Sequence, residues 1–490
     1  MPSLSPFYHR EQQLADLDRL LKIDGPSFVL VYGRRRVGKT WLLRYWAEHS
    51  GLPAFYWAAP RSTADNVRSD LVRELWRWQT PDREIETAPR YDNWNDVFIA
   101  MRRIAGDRRM IIILDEFPWA AESDPSLPSR LQSAWDTLFR DSQICLVLSG
   151  SHIAVMESLL RSDAPLFGRM TGKLYVPPFQ FTEIDSFIKR YSLEKRLAVY
   201  AIIGGIPDYL RRWDDRANLM DNVREIFLSD LSPFRNETEV LISDVLRRDS
   251  PDYQAVLSAI AQGKRELAEI SAATLLDKDR AANVVATLID LRLIEKRIRA
   301  SVPIDQHDKA RYARYFLADP FLRFYYRMVE PNRSFVAQQI YEPILRNLTE
   351  QLRSFVAVTF EELCRTWTLH MGRAGQLPFT PEYVGSDWRG SEVQIDVMAV
   401  NWREEQVFIG EAKWGDNKVD HSIYKSLGER APLAVVHMPS DKPWTVHLAL
   451  FARKGYTPAV IQAAQADGVQ LLTFEKIVSD LRRVPGRVIR

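Results

Sequence analysis

Residues Gly33-Arg34-Arg35-Arg36-Val37-Gly38-Lys39-Thr40 follow a short apolar run, Phe28 to Tyr32, and precede a helical one, Thr40 to His49. A glycine-bounded loop between a buried strand and a helix leaves few folds open. The spacing G-x-x-x-x-G-K-S/T uses its two glycines so that backbone N–H groups can curl around oxyanions. The following helix points its positive end at the same place. Lys39 would neutralise the outer phosphates, and the Thr40 hydroxyl would ligate Mg²⁺. The loop and the helix start, Gly33 through Thr40 with Trp41, are therefore the expected nucleotide-binding residues. Arg34, Arg35 and Arg36 add positive charge beside the phosphates or line a solvated loop.

The runs Ala54 to Ala58, Met110 to Leu114 and Ile144 to Leu148 are further candidate strands, separated by amphipathic stretches. The last two are continuously apolar, as parallel strands covered on both faces require. Strands alternating with helices predict an α/β layer fold. The run Ile111 to Leu114 ends in Asp115-Glu116. Asp115 would hold Mg²⁺, and Glu116 would orient and polarise an attacking water. The plainer alternative is that both acids cap the next helix. Ser149 and Ser151 follow the next core strand, where a polar residue would sense the outermost phosphate or simply make a turn. Arg169 would stabilise transition-state charge, in its own subunit or a neighbour's, or form a structural salt bridge.

Thr182 to about Leu246 reads as helical, broken at Gly204-Gly205-Ile206-Pro207. From Tyr253 to Arg299 apolar residues recur at helical spacing in three short stretches and end in a strand-like edge, the pattern of a winged helix-turn-helix. Lys278, Arg280 and Asn283 would begin its recognition helix, Asp279 to Leu291, and Lys296, Arg297 and Arg299 would meet phosphates from the wing. Asp277 and Asp279 sit among these cations, so a winged helix used for packing is the alternative.

A second α/β block begins near Tyr341. Leu345 to His370 reads as a helix, and Glu392 to Val400, Glu405 to Ala412, Leu433 to His437 and Val469 to Phe474 read as strands. Thr457 to Ala466 and a closing segment near Lys476 to Leu481 read as helices. Asp396 on one strand, and Glu411 and Lys413 two apart on the next, would meet at one point, because strand side chains alternate. Asp396 and Glu411 could hold Mg²⁺, and Lys413 could polarise a water for phosphodiester attack. Glu361 or Glu362 on the preceding helix would complete the site. The alternative is a salt-bridged sheet surface.

A net charge of +2 neither demands nor excludes nucleic acid. Two cysteines, Cys145 and Cys364, make neither a disulfide framework nor a zinc cluster. No apolar run approaches the ~18 residues of a membrane span, and the start has no charged head followed by an apolar stretch. A cytoplasmic protein without membrane contact is expected.

Taken together, these residues resemble a family of archaeal and bacterial ATPases of the AAA+-related, STAND-like group, which carry a winged helix and a C-terminal domain long uncharacterised. The resemblance runs from Phe7-Tyr8-His9-Arg10-Glu11 through Gly33 to Thr40, Leu114-Asp115-Glu116-Phe117 and Leu148-Ser149-Gly150-Ser151. It continues through Pro165-Leu166-Phe167-Gly168-Arg169, Gly204 to Leu210, Tyr315 to Phe324 and Phe360-Glu361-Glu362-Leu363. It ends with Gln394-Ile395-Asp396-Val397 and Gly410 to Trp414. It implies that the nucleotide is ATP, that ATP is hydrolysed, and that the last domain has the PD-(D/E)xK nuclease fold. The motif falls at Asp396, Glu411 and Lys413, with Ile395 where its proline would stand.

The expected fold is α/β: a P-loop NTPase core (1–180), a helical lid (181–246), a winged helix-turn-helix with connector (247–335) and a restriction-endonuclease-like α/β domain (336–490). Two functions follow from these expectations. One is a Mg²⁺-dependent ATPase acting on DNA, possible as a homo-oligomer. The other is a STAND-like regulatory ATP switch whose nuclease-like domain is a non-catalytic scaffold. A simple translocating motor ranks below both, because no separate helicase motif is present.

Overall fold

The computed structural model describes residues 9–82, 88–232, 234, 237–238, 241, 251–309, 313–390, 393–440 and 442–484. Phe7, Tyr8, Glu392 and the end of the expected lid, 242–246, lie outside the described residues. The chain divides into two compact units, 1–179 with 206–208, and 180–205 with 209–490.

The first unit is built on five strands: β1 (Ser27–Tyr32), β2 (Ala54–Ala58), β3 (Met110–Asp115), β4 (Ile144–Gly150) and β5 (Gly172–Tyr175). Their order is β2-β3-β4-β1-β5, and every pairing is parallel. Every residue of β1, β3 and β4 is buried, which is why their sequences are apolar without alternation. Helices Lys39–His49, Ala64–Gln79 and Trp94–Ala105 make the crossovers that parallel strands need. Phe28, Leu30, Ile112, Leu114, Leu146 and Leu148 pack in one core with Val67, Leu71, Val97 and Phe98 of those helices.

This order makes β4 the neighbour of both β1 and β3. Tyr32 lies opposite Gly150, and Leu114 opposite Leu148. The loops that leave the carboxyl ends of β1, β3 and β4 therefore open into one crevice, where open α/β sheets bind ligands. Gly150 permits the close packing there. A Cβ on it would lie 2.6 Å from the Pro118 ring and 2.7 Å from the Met156 sulfur.

In the second unit, helices Pro251–Ala261, Leu267–Thr274 and Lys278–Asp290 precede an antiparallel pair, β6 (Ile294–Arg297) and β7 (Arg314–Leu317). Asp277 starts the third helix by accepting the Arg280 N–H at 2.9 Å. The 32-residue helix Glu342–Arg373 then leads into a mixed sheet of β8 (Tyr383–Arg389), β9 (Val393–Asn401), β10 (Gln406–Lys413), β11 (Thr445–Ala452) and β12 (Gln470–Thr473). The strand order is β12-β11-β10-β9-β8. β8, β9 and β10 are antiparallel neighbours, and β11 and β12 run parallel to β10.

One expected strand is corrected. Leu433 to Val435 closes the helix His421–Val435, whose N-terminus is capped by Asp420, and the strand lies further on at Thr445–Ala452. A short apolar run reads the same as a buried strand or a buried helix end, and the distant cap decides between them. Among the described residues no helix is long and apolar enough to cross a membrane.

Candidate active site

The loop after β1 turns through Arg36 and Gly38, both at positive φ (65° and 97°), and Gly38 is the N-cap of helix Lys39–His49. Gly33 is required by space, since a Cβ there would lie 2.4 Å from the Val176 carbonyl oxygen. Lys39 is only 4% exposed. Its Nζ donates to the carbonyls of Gly33 (2.9 Å) and Arg34 (3.2 Å) and to Ser151 Oγ (2.9 Å). Burial lowers its pKa below the usual amine value, while Glu116 and Asp115 pull it back upward.

Asp115 ends β3 and is almost wholly buried. Its Oδ2 accepts the Thr40 hydroxyl at 2.7 Å and the Tyr56 hydroxyl at 2.7 Å, and its Oδ1 accepts the Glu116 N–H at 2.9 Å. Burial and the Asp115 charge raise the Tyr56 pKa, so this phenol stays a donor. Glu116 stands at φ 50°, a left-handed backbone that turns the chain sharply between β3 and helix Phe117–Ser123. Its Oε1 accepts Ser151 Oγ–H at 2.7 Å. One serine hydroxyl thus accepts from Lys39 and donates to Glu116.

The crevice brings together Gly33, Gly38, Lys39, Thr40, Asp115, Glu116 and Ser151. Ser149 is corrected as a ligand-sensing residue. β4 continues to Gly150, so Ser149 remains wholly buried with no hydrogen-bond partner for its hydroxyl among the described residues, and Ser151 is the serine that reaches Lys39 and Glu116. Tyr56 was not legible in the sequence. It reaches Asp115 from the neighbouring strand β2, and nothing local marks it.

The other basic candidates are placed less centrally. Arg36 pairs with Asp208 at 3.0 Å. Trp41, on the first helical turn, is 37% exposed. Arg169 donates to Asp136 through Nε, which reaches both carboxylate oxygens, and through Nη2 at 2.9 Å, and it donates Nη1 to the Phe167 carbonyl. The salt-bridge alternative describes it in this structure. The Thr40 hydroxyl beside the Asp115 carboxylate is a fitting donor set for Mg²⁺, and Lys39 with the N-terminus of helix Lys39–His49 fits a polyphosphate.

The second unit gathers the C-terminal set. Asp396 on β9 and Glu411 on β10 are both buried. Asp396 Oδ2 accepts the Ala412 N–H at 3.0 Å. Lys413 Nζ lies 2.5 Å from Glu411 Oε1, and Arg430 Nη2 lies 3.0 Å from Oε2. Burial, then the Glu411 charge, pushes the Asp396 carboxyl up to about 6. Burial, then Asp396, pushes Glu361 up to about 8. Glu361 therefore feels Asp396, yet among the described residues no three His, Cys, Asp or Glu side chains are gathered as a metal-binding group. The residues present fit a salt-bridged acid pair better than a three-carboxylate metal centre.

In the three-helix segment, Lys278 and Asn283 are exposed at the start of the third helix, as expected. Arg280 is turned to Asp252 at 2.6 Å. Lys296 is exposed, whereas Arg297, expected to meet DNA phosphates from the wing, is turned inward. Its guanidinium stacks over Phe316 at 4.1 Å and reaches Glu362 at 2.9 Å.

Residues 7–212 match a family described as an ATPase domain predominantly from Archaea. Residues 325–423 match one described as archaeal and bacterial proteins of unknown function. An uncharacterized protein of Methanocaldococcus jannaschii is 28% identical over 437 residues, which are 87% of this chain and 92% of that one. Among solved structures, the Walker-type ATPase of Pyrococcus abyssi superposes with a TM-score of 0.49 at 19% identity, over 66% of this chain and 96% of its own. The Aeropyrum pernix ORC2 protein, in ADPNP and ADP complexes, superposes with a TM-score of 0.43 at 17% identity, over 69% and 97%.

Proposed function

We infer that this chain, whose residues 7–212 match an ATPase domain predominantly from Archaea and whose residues 325–423 match archaeal and bacterial proteins of unknown function, hydrolyses ATP with Mg²⁺ and couples turnover to DNA through its second unit. The observation that carries the first part is the chain of contacts Lys39–Ser151–Glu116 beside Thr40–Asp115. ATP brings the bond to be broken, and Mg²⁺ when bound draws charge from it. Lys39 would orient the outer phosphates, and Thr40 and Asp115 would hold the metal. Glu116 accepts the proton of the attacking water at its carboxylate. Ser151 restrains that carboxylate through its hydroxyl and its N–H, so Glu116 turns toward the water by releasing Ser151.

The DNA part rests on the exposed Lys278, Asn283 and Lys296 of the three-helix segment, which we read as a winged helix-turn-helix. Phosphate release from ATP with Mg²⁺ should rise several-fold when duplex DNA is added. Turnover indifferent to DNA would favour the regulatory switch instead. That second reading has its own support: Glu411 is ion-paired with Lys413 and with Arg430, as in a scaffold. If the C-terminal set acts on phosphodiesters, Lys413→Ala should abolish Mg²⁺- or Mn²⁺-dependent nicking of plasmid DNA and leave ATP turnover intact. Wild-type protein that cuts neither DNA nor RNA with either metal would eliminate the nuclease role.

A further inference from the structure

Between the β6–β7 hairpin and the long helix Glu342–Arg373 lies a cavity of about 430 Å³, within the range of small-ligand sites. Three guanidiniums line it: Arg297 from β6, Arg323 from helix Pro320–Phe324 and Arg365 from the long helix. Glu295 and Glu362 are the carboxylates on its wall, and Tyr383 adds an aromatic face. Glu362 accepts Arg297 at 2.9 Å and Arg323 at 3.2 Å. Glu295 pairs with Arg297. Arg365 has no carboxylate partner among these. It donates Nη1 to the Asp396 carbonyl at 2.8 Å.

The internal acids do not satisfy this cluster. Arg323 Nε and Arg365 Nη2 are buried and have no hydrogen-bond partner among the described residues. A buried guanidinium N–H without an acceptor is costly, and two of them on side chains lining one cavity call for an acceptor from outside. Planar guanidiniums match phosphate oxygens in pairs, which a lysine cannot do. Arg297 and Arg323 are only 20% and 11% exposed, so a flat duplex backbone would reach them poorly and a compact anion would reach them well.

We propose that this cavity is a binding site for a small phosphorylated molecule, held by Arg297, Arg323 and Arg365, with Glu362 occupying the Arg297 and Arg323 guanidiniums when the site is empty. Arg365 also holds the backbone at Asp396, so the ligand would bear on the acid pair at β9 and β10. The site shares no residue with the phosphate-binding loop, and its existence does not depend on ATP hydrolysis.

Pyrophosphate binding to the full chain carrying Lys39→Ala, which weakens the loop site, tests this by calorimetry. Saturable binding is expected. Arg365→Met should weaken it by about tenfold, the effect of losing one charge-assisted contact. Glu362→Gln, which keeps the shape and removes the competing charge, should tighten it several-fold. An ion pair that serves only structure predicts no gain from that variant. No saturable binding, or binding that Arg365→Met and Glu362→Gln both leave unchanged, would overturn the proposal. Displacement of pyrophosphate by a short DNA duplex at matched phosphate concentration would assign the site to nucleic acid and overturn the small-molecule assignment.

Discussion

Glu116→Gln should lower ATP turnover by about 10²–10⁴-fold, the usual worth of a positioned general base, while nucleotide binding persists. Glutamine keeps the size of the side chain and can still accept the Ser151 hydroxyl, now at 2.7 Å from Glu116 Oε1. It cannot take a proton from water. The neighbouring contacts have partners besides it: Thr40 and Tyr56 both bond Asp115, whose charge also supports Lys39, and Lys39 is held by two carbonyls as well as by Ser151. Phosphate release measured beside binding of a fluorescent nucleotide separates the two effects. A variant that turns over within a few-fold of wild type would mean that another group activates the water. A variant that loses binding as well would mean that Glu116 is part of the fold of the loop rather than of the chemistry.

Glu361→Gln should stabilise the second unit at alkaline pH and leave it little changed at pH 5. Burial and the nearby Asp396 charge hold the Glu361 carboxyl near 8, far above its usual value of about 4.3. Between those values the folded chain keeps a proton that the unfolded chain has released. Stability from the protonated acid is therefore fully present below pH ~4.3 and is lost as pH rises through about 8. The loss is on the order of a few kcal/mol, and Asp396, pushed up to about 6, adds a loss of the same sign over a lower window.

The adjacent Glu362 behaves oppositely. Burial opposes its ionisation, but Arg323, Arg297 and Arg365 together hold it down at about 2. Its contribution is present above pH ~4.3 and vanishes as pH falls through about 2. Thermal unfolding between pH 5 and 8.5 should show wild type falling more steeply than Glu361→Gln. Parallel profiles would show that Glu361 is ionised in the folded protein at neutral pH.

The two neighbours illustrate what the residues alone could convey. Glu361 and Glu362 were interchangeable candidates in the sequence, since a helix pattern does not say which of two adjacent carboxylates meets arginines and which meets another acid. Arg297 was legible as a cation near a strand edge, but its partner Glu362 lies 65 residues away. Ser149 and Ser151 were equally placed after a core strand. The pairing of Tyr32 with Gly150 carries β4 far enough to bury the first and release the second. The apolar run from Leu433 suited a strand as well as a helix end until the cap at Asp420 was in view.

What the sequence determined by itself is the chemistry held within a few contiguous residues. The loop Gly33 to Thr40, the acid pair Asp115-Glu116 and the continuous apolar strands beneath them follow from backbone geometry, charge and burial pattern, all of which are local. The tertiary structure alone decided which polar groups meet. Lys39 and Ser151 are 112 residues apart, and Tyr56 and Asp115 are 59 apart. Their contacts exist because parallel pairing sets the carboxyl ends of β1, β3 and β4 side by side, and no pattern within either segment encodes that adjacency.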